Sequence, residues 1–193
     1  MGTKRELMPN EVRTGKVRFS YAHVFEPKTP KGSTVPKYSS AIIIEKTDKA
    51  TLTALKKAID AAIEYGTEKK WGGKKPPSIQ LNLHDGDKER PGDSVYAGCY
   101  FLNAKSDRQP GIVDNGTPPV KITDPNEFYS GCYGRAFFTA YPYDFMGKKG
   151  IGYGLQHVQF LEHGERLAGG VSVDDAFDDW GGTADNSVDD LPF

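Results

Sequence analysis

Apolar and polar residues alternate along most of this chain, and the period changes only once. Residues 12 to 25, VRTGKVRFSYAHVF, read as a strand with Val17, Phe19, Tyr21 and His23 on one side and Lys16, Arg18, Ser20 and Ala22 on the other. The following EPKTPKGSTVPK is a proline- and lysine-rich loop, and YSSAIIIEK (38 to 46) reads as a buried strand. The period then shifts to that of a helix over Lys49 to Tyr65. Thr47 or Asp48 is placed to cap it, Leu52, Leu55, Ile59, Ala62 and Ile63 form one stripe, and Gly66 is placed to end it. KKWGGKK (69 to 75) with Pro76 and Pro77 makes a second basic loop. Strands are then predicted over 78 to 83, 94 to 104, 120 to 123, 129 to 145 and 150 to 162, with HDGD (84 to 87) as a reverse turn.

This pattern predicts a mainly β fold: a five-stranded barrel with extra strands or hairpins and one α-helix, since closure removes exposed sheet edges. A composition of 37% hydrophobic and 26% charged residues, with 22 Gly and 13 Pro, suits a soluble, turn-rich chain of this kind. The start lacks an apolar signal core, and no stretch approaches the roughly 20 apolar residues of a membrane span. Cys99 and Cys132 lie far apart with no CxxC, so reduced thiols are expected rather than a zinc site or a disulfide framework.

Charge changes the picture. Residues 171 to 193 hold seven Asp and no Lys, Arg or Glu, which leaves 25 basic against 19 acidic groups, a balance of +6, over residues 1 to 170. The division expected is a body at 1–170 and a flexible acidic tail at 171–193. A basic body tied to an acidic tail points to a polyanionic partner and an internal competitor for it, or else to a tail that only solubilises an ordinary domain.

Candidate chemistry concentrates in YGRAFFTAYPYDF (133 to 145). In an extended strand Arg135, Phe137, Thr139, Tyr141 and Tyr143 share one face, while Ala136, Phe138 and Ala140 share the other. Rings beside a cation suit unpaired bases and their phosphates, although buried rings would produce the same pattern. Trp71, among Lys69, Lys70, Lys74 and Lys75, is a candidate exposed ring that stacks a base, with Lys16 and Arg18 as further phosphate contacts. Asp85, Asp87 and Glu89 support an alternative, an Mg²⁺-dependent nuclease; a virion or carbohydrate-binding β protein is another. The histidines are scattered, and no catalytic or cofactor fingerprint occurs, so neither an enzyme nor a cofactor or metal site is expected.

The ending DNSVDDLPF (185 to 193) resembles the acidic tip of bacterial single-stranded-DNA-binding proteins. The body resembles instead a bacteriophage family of single-stranded-DNA-binding proteins built on an OB-fold. It does so through HDGD, YAGCYFLNAKS (96 to 106), RQPGIVD (108 to 114), FYSGCYGRAFFTAYPYD (128 to 144) and KGIGYGLQHVQFLEHGERL (149 to 167), over about residues 10 to 170. The resemblance implies a non-enzymatic protein of phage replication, recombination or repair that coats single strands in the cytoplasm of an infected bacterium and commonly dimerises. It also implies that the tip, Asp189, Asp190, Leu191, Pro192 and Phe193, recruits a polymerase, helicase or primase. The aspartates would compete for the DNA groove, with Phe177 and Trp180 standing in for bases. One departure is expected: the helix follows the second strand, where a bacterial-type OB-fold carries it after the third.

Overall fold

The computed structural model describes residues 5 to 167. Its strands are β1 (Glu11–Arg13), β2 (Val17–Lys28), β3 (Lys37–Glu45), β4 (Leu83–Asp85), β5 (Cys99–Ser106), β6 (Gly111–Val113), β7 (Tyr133–Phe145) and β8 (Lys148–Glu162), with helices α1 (Lys49–Lys69) and α2 (Gly86–Glu89). They form one OB-like sheet of mixed strand order. β7, β2, β3, β5 and β8 pair in succession, and β8 pairs again with β7, so the hydrogen bonding returns to its starting strand. The neighbours are antiparallel except β5 with β8 and β6 with β8, which are parallel.

The longest pairing is the β7–β8 hairpin, turned by Met146 and Gly147. Both have positive φ, 51° and 79°, the pair of signs that a two-residue turn needs to match strand twist. Ala136, Phe138 and Ala140 of β7 point inward beside Ile151, Tyr153 and Leu155 of β8 and Ile42, Ile44 and Leu102. α1 closes this core. Asp48 caps it, accepting from the Thr51 N–H at 3.0 Å, and Leu55, Ala58, Ile59 and Ala62 are buried, each large side chain contributing about 2 kcal/mol.

Several predicted elements are corrected. The first strand is broken at Thr14–Lys16, where the buried Thr14 hydroxyl accepts from the Ala136 N–H, so the helix follows three strands in chain order but only two of the ring. Gly66 does not end α1, which runs on to Lys69. A Cβ there would lie 2.7 Å from the Pro142 Cβ and 2.9 Å from the Trp71 Cη2, so the glycine admits close packing. Residues 94 to 98 form turns before β5, and 78 to 83 contribute an isolated bridge at Gln80 and the first residue of β4. Residues 120 to 123 contribute a bridge at Lys121, and HDGD passes into α2. β6 had no alternation to reveal it. In β2 a register shift begins after Ser20, and Tyr21 takes φ 46°; Phe19 and Ser20 are both buried while the Tyr21 ring is turned outward, against the predicted alternation. No described helix is long and apolar enough to cross a membrane.

Candidate functional site

The outward face of β7 carries the residues its alternation predicts. Tyr141 pairs across the hairpin with Gly152 and Tyr143 with Gly150. With no side chain on these glycines, each tyrosine leans over the neighbouring strand: an added Cβ would sit 2.5 Å from the Tyr141 Cζ and 2.6 Å from the Tyr143 Cζ. The GIGYG run of β8 is thus the floor of an aromatic platform. Tyr143 is fixed in place, its hydroxyl accepting from the Asn82 amide at 3.0 Å and donating to the Gln80 side-chain oxygen at 3.3 Å. Tyr141 stays 44% exposed, enough for a further ring to lie on it, and partial burial raises its phenol pKa, keeping it neutral at neutral pH.

The platform opens into a groove. A cavity of about 320 Å³ is bounded by both tyrosines, Asn82, His84, Asn103 and Lys105. A second cavity, of about 410 Å³, shares Asn103 and Lys105 and continues past His23 and Tyr21 to Lys28 and Lys31. Lys105 is an exposed cation at the junction, on the β5 face opposite buried Leu102 and Ala104. Burial lowers the pKa of His23 below the usual histidine value, so on that stretch of the groove Lys28, Lys31 and Lys105, not His23, supply positive charge at neutral pH. The described surface therefore joins rings, amides and lysines along one path, which suits stacking of planar groups and neutralisation of an anionic backbone.

The remaining predicted residues fall in three places. Trp71 is 6% exposed, packed against α1 and Pro142, with its indole N–H donating to the Tyr143 carbonyl at 3.2 Å. The expected exposed ring is therefore corrected: burying so large an apolar surface outweighs leaving it on the loop. Its anchoring instead ties the end of α1 and the loop that follows, with exposed Lys69, Lys70, Lys74 and Lys75, to the Tyr143 end of the platform. Lys16 and Arg18 line a different cavity, which also contains Glu45 and Glu162. Lys16 pairs with Glu162 at 2.7 Å, and Arg18 donates to the Gly131 and Glu165 carbonyls at 3.1 and 3.0 Å. Arg135 lies along the β7 face from Tyr141, in yet another cavity, its Nε donating to the Thr14 carbonyl at 2.9 Å. Phe177, Trp180 and the tip, Asp189 to Phe193, lie outside the described residues.

Sequence reasoning missed Lys105, Asn103, Tyr21, His23, Asn82, His84, Lys28 and Lys31. A signal existed for the β5 pair, because Leu102-Asn103-Ala104-Lys105 alternates cleanly; none existed for Tyr21, which the bulge re-aims. The carboxylates of the nuclease alternative are committed elsewhere. Lys46 donates to Asp85 and Asp87 at 2.7 Å each, and Glu89 meets the His84 Nδ1 at 2.8 Å. The contact with Lys46 lowers the Asp85 pKa, and the Gly98 N–H, followed by Lys46, lowers that of Asp87. No metal-binding group of His, Cys, Asp and Glu occurs among the described residues. Both cysteines are unpaired and buried, and burial pushes the Cys132 thiol up to about 11.

Comparison with known proteins adds independent findings. A family model described as "Enterobacter phage Enc34, ssDNA-binding protein" matches residues 10–190. Among solved structures, the single-stranded-DNA-binding protein from bacteriophage Enc34 in complex with ssDNA is 25% identical, with a TM-score of 0.66 over 85% of this chain and 97% of that one. A C-terminal truncation of the Enc34 protein is 24% identical, with a TM-score of 0.64 over 86% of this chain and 99% of that one. Gp2.5, a single-stranded-DNA-binding protein encoded by bacteriophage T7, is 15% identical with a TM-score of 0.61 over 92% of this chain and 97% of that one, a likeness of fold alone. No curated protein matches.

Proposed function

Because this chain belongs to the family of the Enterobacter phage Enc34 ssDNA-binding protein, we propose that it is a sequence-tolerant, non-enzymatic single-stranded-DNA-binding protein of phage replication, recombination or repair, working in the infected cell's cytoplasm. The observation that carries this reading is the tyrosine platform over Gly150 and Gly152, opening into a groove that Lys105 spans. Every base has a face to stack on Tyr141, and a lysine attracts any phosphate, so neither contact selects a sequence.

The ring of β2, β3, β5, β8 and β7 is the circuit of a five-stranded OB barrel, and its groove follows the face and loops with which such barrels bind oligonucleotides. The seven aspartates of 171 to 193 are complementary in charge to that groove, which supports a tail that competes with DNA and recruits replication proteins once displaced.

Fluorescence titration with oligothymidine at two salt concentrations tests the central reading. Affinity should fall by about 0.7 log units per log of salt for each neutralised phosphate, and Lys105→Gln should lower that slope by about that amount. A salt-independent titration would sink the proposal.

A further inference from the structure

The groove accounts for only one end of the β7–β8 hairpin. Along the same outward face, Arg135 and Phe137 line a separate cavity of about 510 Å³ together with Arg5, Arg13 and His157. The Phe137 and His157 rings are parallel within 9°, with centroids 6.0 Å apart, and flank the open space. Three guanidinium groups share this space. Arg5 is paired with Glu11 at 2.9 Å, Arg135 uses its Nε on the Thr14 carbonyl, and Arg13 is exposed with no hydrogen bond or ion pair among the described residues. No acidic residue lines the cavity among the described residues, and Glu11, the partner of Arg5, is drawn below its usual pKa by the Met8 N–H and then by Arg5, against the opposing effect of burial. The remaining balance is positive, which leaves room for an anion.

We propose that this cavity is a second nucleotide subsite, which takes a base against Phe137 and a phosphate at Arg13 and Arg135 and extends the strand's path along the hairpin from Tyr141. The inference rests on the function proposed above. Tyr141 and Arg135 are six residues apart on one strand, or about 20 Å at the usual rise. That span equals about six nucleotides at a stacked rise of about 3.4 Å. Glycine-floored rings at one end and arginines beside Phe137 at the other divide the work: the platform holds bases by stacking alone, and the far cavity adds a phosphate contact to the base it holds.

The test uses the full chain with oligothymidines of about four and about twelve nucleotides, below and above the span between the sites. Arg13→Gln is the first variant, since its side chain supports no described contact; the second adds Phe137→Ala. The short oligonucleotide should bind all three proteins equally. The double variant should bind the long one about tenfold more weakly, the equivalent of about 1.4 kcal/mol, and Arg13→Gln alone should lower its salt slope by about 0.7. Unchanged affinity and slope for the long oligonucleotide in both variants would overturn the subsite and leave the proposed function standing. If wild-type protein holds neither oligonucleotide, both readings fail.

Discussion

Glycine placement decides what the tyrosines can do. Tyr141 and Tyr143 could have stood upright from the sheet, but Gly152 and Gly150 let them lie across the neighbouring strand. Replacing Gly152 with Ala brings a methyl group to 2.5 Å from the Tyr141 ring, which must then lift. Oligothymidine affinity should fall in Gly152→Ala, and thermal unfolding will show whether the fold survives. Tyr141→Ala removes the ring itself and should cost about 1–3 kcal/mol of binding per stacked base, read from titration against wild type. Trp71→Ala makes the opposite kind of prediction. Its ring is buried and braces Gly66 and Pro142, so the loss belongs to folding, about 3–5 kcal/mol by urea denaturation.

Among the elements, β4, α2 and the turns leading to β5 are held by charge as well as by packing. Lys46, one residue beyond β3, reaches Asp85 at the end of β4 and Asp87 in α2. The folded-state pKa values of both carboxyls are depressed, so their stabilisation is present above the unfolded value of about 3.9 and is lost as pH falls through the lower folded values. Lys46 is raised by the same contacts, so its share is present below its unfolded value and fades as alkaline pH passes the folded one. In a pH series of melting temperatures, Lys46→Met should flatten the fall below about pH 4 relative to wild type. Asp48→Ala tests a different element: without its cap on the Thr51 N–H, α1 should lose about 1 kcal/mol in the same denaturation assay.

For the whole molecule, the separation of charge is the governing feature. The first 170 residues carry +6 and the last 23 carry seven aspartates, so a chain ending at residue 170 should bind oligothymidine more tightly than the full one, most clearly at low salt. Weaker binding by the shortened chain, measured by titration, would remove the competitor role proposed for the tail. The cations of the body do not act as one patch. Lys105, Lys28 and Lys31 lie on the groove, Lys16 and Arg18 on a cavity shared with glutamates, and Arg135 with Arg13 on a third surface.

The sequence by itself determined what depends on local period and on composition: the β character, the helix starting after a cap at Thr47 or Asp48, the alternating faces of β7, the charge asymmetry and the family resemblance. The elements and their faces follow from side chains whose direction is set by their own strand or helix, and the charge asymmetry from residue counts alone. Tertiary structure alone decided which rings and cations meet. Trp71 looked exposed because its neighbours are lysines and glycines, yet the last turn of α1 at Gly66 directs it toward Pro142, 71 residues on in the sequence, and the ring is buried there. Tyr21 looked inward-facing until a bulge turned it, and Lys105 gained its place only when β5 paired with β3 and β8. Strand pairing joins residues far apart in the chain, and the alternation within any one strand carries no information about its partner.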